Sequence, residues 1–293
     1  MEPLPPPQFL DVPRLLDASQ PRVRAGWFWY VAGGFLLVVM VSTYLSSTSP
    51  AMAGVMQLFS GLVMIGLMFA MGMLTFAMAR RQQAEAQQLE AVEELMQLRR
   101  WGEAGLVLEG LLSAPMRAPQ HRGQALIYLA TVLARYHRFA DAIAVNEHLL
   151  EHVNLDPSTE HGLKLARVMS MLREDHLVDA HRAMSELRRG DAERQSAGLA
   201  LIDLYRDVKT GHPDEAIEIF EQRLPTLRDQ LGHRVADAYY LAARAYDVLG
   251  RETEAARAYE RATLLSPLFE LQRRYPEAAS LSEKYQPAMA PAA

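Results

Sequence analysis

The sequence predicts an all-α protein: two membrane-crossing helices in a hairpin, followed by a body of repeated helical hairpins. Three observations carry that reading. Residues 25–79 contain no Asp, Glu, Lys, Arg or His, in a 293-residue chain that is 22% charged. This stretch divides at Ser46-Ser47-Thr48-Ser49-Pro50 into two apolar runs, 27–45 and 52–79, and about 20 apolar residues suffice to cross the hydrocarbon core. From Arg81 onward, apolar residues recur three and four apart, the helical period, and a short motif returns at near-constant spacing.

Residues 1–26 open on Pro3, Pro5, Pro6 and Pro7, a polyproline-type start, and read as a cytoplasmic tail. Phe9, Leu10, Val12, Leu15 and Leu16 suit a segment resting on the membrane surface. The apolar runs do not fit a signal peptide, which needs a basic start and a single short apolar region. Residues 27–79 therefore form the two spans. Arg14, Arg22 and Arg24 precede them and Arg80 and Arg81 follow, while the turn carries no charge. Basic residues concentrate on the cytoplasmic side, so both termini are expected there, with Trp27, Phe28, Trp29 and Tyr30 at the inner interface. No ionisable group lies within either span, which argues against an ion or proton path. Gly66 and Ala70 form a small-xxx-small pair, and Gly33-Gly34 offers a matching flat patch. Here the two spans would pack on each other, or on a second protein or a second copy of the chain.

Net charge is −5. Residues 1–80 hold four arginines and three acids, leaving 26 basic and 32 acidic residues for the body. Nucleic-acid binding wants a basic patch and finds no support. With no cysteine, disulfides, thiolate catalysis and cysteine-based zinc sites are excluded, and no cofactor motif is present.

Within the body, five motifs place a small residue early in a helix: Ala104, Ala142, Ala180, Ala216 and Ala255, spaced 38, 38, 36 and 39 residues apart. An acid stands near each (Glu103, Asp141, Asp179, Glu215, Glu254), as suits a helix N-terminus. The alanine marks where a neighbouring helix comes close. Each unit is then a helical hairpin, and stacked hairpins bury one another's apolar faces. Gln82 to Leu89 are strong helix formers, which predicts that the second span continues out of the membrane as the first helix of the first hairpin.

The last hairpin carries Tyr239, Ala243, Tyr246, Gly250, Ala255, Tyr259, Ala262 and Pro267. In this order they resemble the aromatic, small, aromatic, turn-glycine, small, aromatic, small and terminal-proline positions of the tetratricopeptide repeat (TPR) family. The preceding hairpin keeps Gly211, Ala216 and Phe220, and the first keeps Trp101, Leu108, Leu111 and Pro115. The family period is 34, so these units are longer. The resemblance implies a TPR-like α-solenoid of about five hairpins over 80–276, with 277–293 a disordered tail. It further implies partner binding along the first helices, at Thr131, Arg135, Met169, Arg173, Tyr205, Lys209, Tyr240 and Arg244. Arg135, Arg173 and Lys209 share one register position and would make a basic ladder that takes an acidic segment.

Three function classes follow: an adaptor recruiting a protein or peptide partner to the bilayer, a structural subunit of a membrane complex held through the Gly/Met-rich span, and a zinc peptidase. The last rests on His148, Glu151 and His152, which match an H-x-x-E-H pattern. That motif falls in the second helix of a hairpin, where Leu149 and Leu150 pack on neighbours.

Overall fold

The computed structural model describes residues 10–21, eight positions between 33 and 44, 53–116, 118–190 and 196–285. Among them every regular element is helical. In chain order these are α1 (Val12–Ala18), α2 (Ala53–Gln97), α3 (Trp101–Leu112), α4 (Pro119–Arg135), α5 (Phe139–His152), α6 (Pro157–Arg173) and α7 (Leu177–Gly190). There follow α8 (Ala197–Thr210), α9 (Pro213–Leu231), α10 (Val235–Val248), α11 (Glu252–Leu265), α12 (Leu268–Arg274) and α13 (Leu281–Tyr285), with short 3-10 turns at Gly232–Arg234 and Pro276–Ala278. The chain forms two compact units, Met1–Val153 and Asn154–Ala293.

Among the described residues five helical hairpins are present: the end of α2 with α3, and α4/α5 in the first unit, then α6/α7, α8/α9 and α10/α11 in the second. All five aligned alanines have 0–1% of their surface exposed. With no side chain beyond Cβ, each lets its helix approach a neighbour closely, as the spacing predicts.

The hairpin turns repeat with equal regularity. Arg99, His137, Asp175, Gly211 and Gly250 all adopt left-handed backbone, with φ of 59°, 60°, 61°, 79° and 73°. The residue after each donates its N–H to the carbonyl five residues back, at 2.8–3.0 Å: Arg100 to Leu95, Arg138 to Leu133, His176 to Met171, His212 to Asp207 and Arg251 to Tyr246. This is the Schellman closure of a helix C-terminus. The acids near the alanines are not side-chain caps. Three of them pair with the arginine that ends the turn: Glu103 with Arg100 at 2.5 Å, Asp141 with Arg138 at 2.6 Å and Glu254 with Arg251 at 3.0 Å.

α2 runs unbroken for 45 residues, about 67 Å at 1.5 Å per residue. Gly61–Gln97 is the one helix among the described residues long and apolar enough to cross a membrane. Its far end is built into the first unit. Leu89 and Val92 are buried, Tyr128 on α4 donates to Glu93 at 3.0 Å, and His121 lies 3.4 Å from Glu85. The apolar part stands uncovered, and a Cβ added at Gly33, Gly34 or Gly66 would meet nothing within 4 Å; Ala70 is exposed. The described positions between 33 and 44 are helical, whereas Trp27, Phe28, Trp29, Tyr30 and the turn at 46–50 lie outside the described residues.

Both expected tails need correction. Residues 10–20 do not rest as a tail on the membrane surface but fold onto the first unit, α1 lying against α3 and α5. Leu10, Val12 and Leu15 are buried. Arg122 donates to the Ser19 hydroxyl and the Leu16 carbonyl, both at 3.1 Å, and Arg138 donates to the Leu10 carbonyl at 2.8 Å. At the other end, residues 277–285 are ordered, with Ala278 and Leu281 buried. Local composition suggested tails in both places; distant partners hold them.

The turns generate a stability prediction. A Cβ at Gly211 or Gly250 meets nothing within 4 Å, so the cost of Gly211→Ala or Gly250→Ala is that of left-handed backbone alone, about 1–2 kcal/mol. Gly110→Ala, on exposed helix, should instead stabilise by roughly 0.5–1 kcal/mol. Denaturant melts of the three variants check both signs.

Candidate functional site

The first helices of the second unit, α6, α8 and α10, carry six of the eight expected partner-binding residues. Capping fixes two of these helices: Asp156 accepts from the Thr159 N–H at 2.9 Å to start α6, and Ser196 accepts from the Leu199 N–H at 3.3 Å to start α8. Four of the six converge on one object, the chain's own segment after α11. Tyr275 is fully buried. Its ring stands 5.2 Å from the Tyr205 ring, edge to face, with the Arg173 guanidinium 5.7 Å from its centroid. Glu277 accepts from the Tyr205 hydroxyl at 3.0 Å and meets Lys209 Nζ at 3.3 Å. The Ala278 carbonyl accepts from the Tyr240 hydroxyl at 2.8 Å.

Two acids on α10 complete the site. Asp237, buried, pairs with Arg274 at 2.7 Å. Asp247 accepts from Lys284 at 2.9 Å, from the Tyr285 hydroxyl at 2.8 Å and from Arg244 at 3.2 Å. Burial pushes the Tyr205 and Tyr240 phenols well above their ordinary range, so they donate as neutral hydroxyls. Burial also raises the Asp237 carboxyl, against the pull of Arg274 and Arg234. At Asp247 burial works the same way, but the donors Lys284 and Tyr285 prevail and hold the carboxyl below its usual value.

In the second unit the expected basic ladder has acids beside it. Lys209 is already paired with Asp175 at 2.8 Å and with Glu277, and Arg244 with Asp247. The face alternates sign instead of being uniformly basic. Met169 is half-buried on α6. Thr131 and Arg135 belong to the first unit, where the Thr131 hydroxyl donates to the Ile127 carbonyl at 2.9 Å and Arg135 lies 5.6 Å from the Trp101 ring centroid. Sequence reasoning missed Asp237 and Asp247. Their signal was legible: two acids on α10, whose other residues are almost all buried and apolar.

The signature residues are packed in the last hairpin. Ala243, Ala255 and Ala262 have no exposed surface, Tyr239 and Tyr246 flank the Phe220 ring at 5.5 and 6.5 Å, Tyr259 is buried, and Pro267 caps α12. A family model described as tetratricopeptide repeat matches residues 236–267. That range covers α10 and α11. The crystal structure of TTC0263, a thermophilic TPR protein from Thermus thermophilus, is 20% identical over 66% of this chain and 98% of that one, with a TM-score of 0.49. No curated protein matches the chain.

The H-x-x-E-H residues are otherwise committed. Arg122 can only donate, so at 2.9 Å the His148 Nε2 accepts from it, and zinc would have to displace that guanidinium. The two imidazoles stack at 4.5 Å, and Glu151, well exposed, lies 3.9 Å from His152. His148 instead supports the arginine that holds α1. Burial, then the Arg122 charge, keep its imidazole below the ordinary value of 6.5. A depressed folded value means that stability is complete above the unfolded pKa and is lost as pH falls through the folded one. Melting temperature should therefore drop on acidification below about pH 6.5, and His148→Gln should remove that component from the pH profile of the melts.

Proposed function

We propose that the chain is a membrane-anchored adaptor. Two spans, 27–45 and 52–79, hold it with both termini in the cytoplasm, and the first-helix face of its second unit takes a protein or peptide partner. One observation carries the binding half of this reading: the residues that the repeat register selects, Arg173, Tyr205, Lys209 and Tyr240, already clasp a stretch of polypeptide.

The docking of α1 supports the anchoring half. Residues 10–20 and the helices between Arg81 and Val153 belong to one compact unit, joined by Arg122 and Arg138. A chain with both segments on one body must cross a bilayer an even number of times between them. If α2 crosses once, the run at 27–45 supplies the second crossing. The arginines on either side of the spans then set the orientation.

A second reading, a subunit of a larger membrane complex, is favoured by the uncovered glycines and Ala70. Small residues that no described residue covers are where another membrane helix approaches, whether from a different protein or from a second copy.

Two experiments test these readings. The chain has no cysteine, so single cysteines report topology cleanly. Asp17→Cys and Glu186→Cys should react with an impermeant maleimide only after the cytoplasmic face is opened, and Thr48→Cys from outside. Labelling of Asp17→Cys and Thr48→Cys from one side would refute the hairpin. A photo-crosslinking residue at Met169 should capture a partner in native membranes. Adducts from Gly66 alone would favour the complex-subunit reading, and adducts from neither would remove both.

A further inference from the structure

The segment after Pro267 lies beyond the matched repeat, and its two helices contain seven and five residues. Helices that short are not stable by themselves. They are held by four buried apolar side chains, Leu271, Tyr275, Ala278 and Leu281, and by polar contacts to α8 and α10. The segment therefore has the character of a ligand: short, locally unstable and seated by a few anchors.

We infer that residues 268–285 are an internal occupant of the first-helix face, and that its external ligand is a peptide with a basic residue, an aromatic residue and, two positions further on, a carboxylate. That peptide binds by displacing the segment. The pattern is read from Arg274, Tyr275 and Glu277 in place. The base meets Asp237 at 2.7 Å. The ring sits beside Tyr205 and the Arg173 guanidinium. The carboxylate takes the Tyr205 hydroxyl at 3.0 Å and Lys209 at 3.3 Å. Tyr240 donates to the backbone carbonyl one residue later. Every requirement is a side chain of this face meeting a group that a second peptide can present.

Release is built into the far end. Lys284 and Tyr285 close on Asp247 and Lys284 also pairs with Glu252 at 2.9 Å, yet Glu283 and Lys284 are exposed. A segment anchored at its start and lightly clasped at its end opens from that end, since elements with few buried contacts have the lowest local stability.

This inference rests on the adaptor reading for its purpose but is tested without any partner. The probe is a fluorescein-labelled peptide of residues 271–285, titrated by anisotropy against the full chain in nanodiscs. Wild type should bind weakly because its own segment competes. Glu277→Lys, which sets two cations against each other at Lys209, should bind at least tenfold more tightly. A probe that itself carries Glu277→Lys should lose that gain. Equal binding by both chains, or none by a Glu277→Lys chain of native helicity, overturns the inference. If Glu277→Lys loses helicity, Lys284→Glu, which opens the clasp at Asp247 and Glu252, should give a smaller gain of about threefold, and no gain there also overturns it. A Met169 adduct without competition by the probe would leave the adaptor standing and remove the internal occupant; competition without an adduct would do the reverse.

Discussion

Close approach between helices is the constraint on which everything else rests. Ala104, Ala142, Ala180, Ala216 and Ala255 have essentially no exposed surface, and a larger side chain at any of them would push its helix off its neighbour. Interiors are packed too tightly to absorb that change. The hairpin turns follow from the same requirement. To bring two helices together at short range the chain must reverse in very few residues, and one left-handed residue followed by a hydrogen bond five residues back achieves it. The spacing of the alanines and the spacing of the turns are one period because they are two ends of one device.

That device was only half legible. The alanines were found at once because small residues at fixed spacing stand out. The turns were not, because only Gly211 and Gly250 announce a left-handed backbone. Arg99, His137 and Asp175 hold the same conformation at φ near 60°, where L residues are strained by roughly 1–2 kcal/mol. Packing of the flanking helices imposes that strain, and packing is not written in the turn residue itself. The early hairpins accordingly looked degenerate by signature while being regular in geometry.

Residues 10–20 and 277–285 were misread as parts of tails for a related physical reason. A polyproline start and an Ala/Pro-rich finish have the composition of unpaired segments. What orders residues 10–20 and 277–285 beside them is remote in sequence: Arg122 reaches Ser19 across 103 residues, and Tyr205 reaches Glu277 across 72. Periodicity and propensity see neighbours within a turn or two. An arginine buried in α4 and two aspartates among the apolar residues of α10 were the available hints, since buried charges need partners. The partners they implied were the supposed tails.

The charge pattern of the second unit shows why a binding face cannot be judged from one sign of residue. Arg135, Arg173 and Lys209 suggested attraction for acids, but in the second unit Arg173 stands beside a ring and Lys209 is paired with carboxylates. An exchange of one bound segment for another then costs little electrostatically, because departing and arriving groups meet the same counter-charges. A face of uniform charge would bind an acidic ligand more strongly when empty, yet would leave several cations close together whenever it was vacant. Alternating charge reduces that repulsion and shifts discrimination onto spacing: base, ring and carboxylate must arrive in the right order. In such a face selectivity comes from register, and affinity comes mainly from the apolar anchors that it buries, Tyr275 with Leu271 and Leu281.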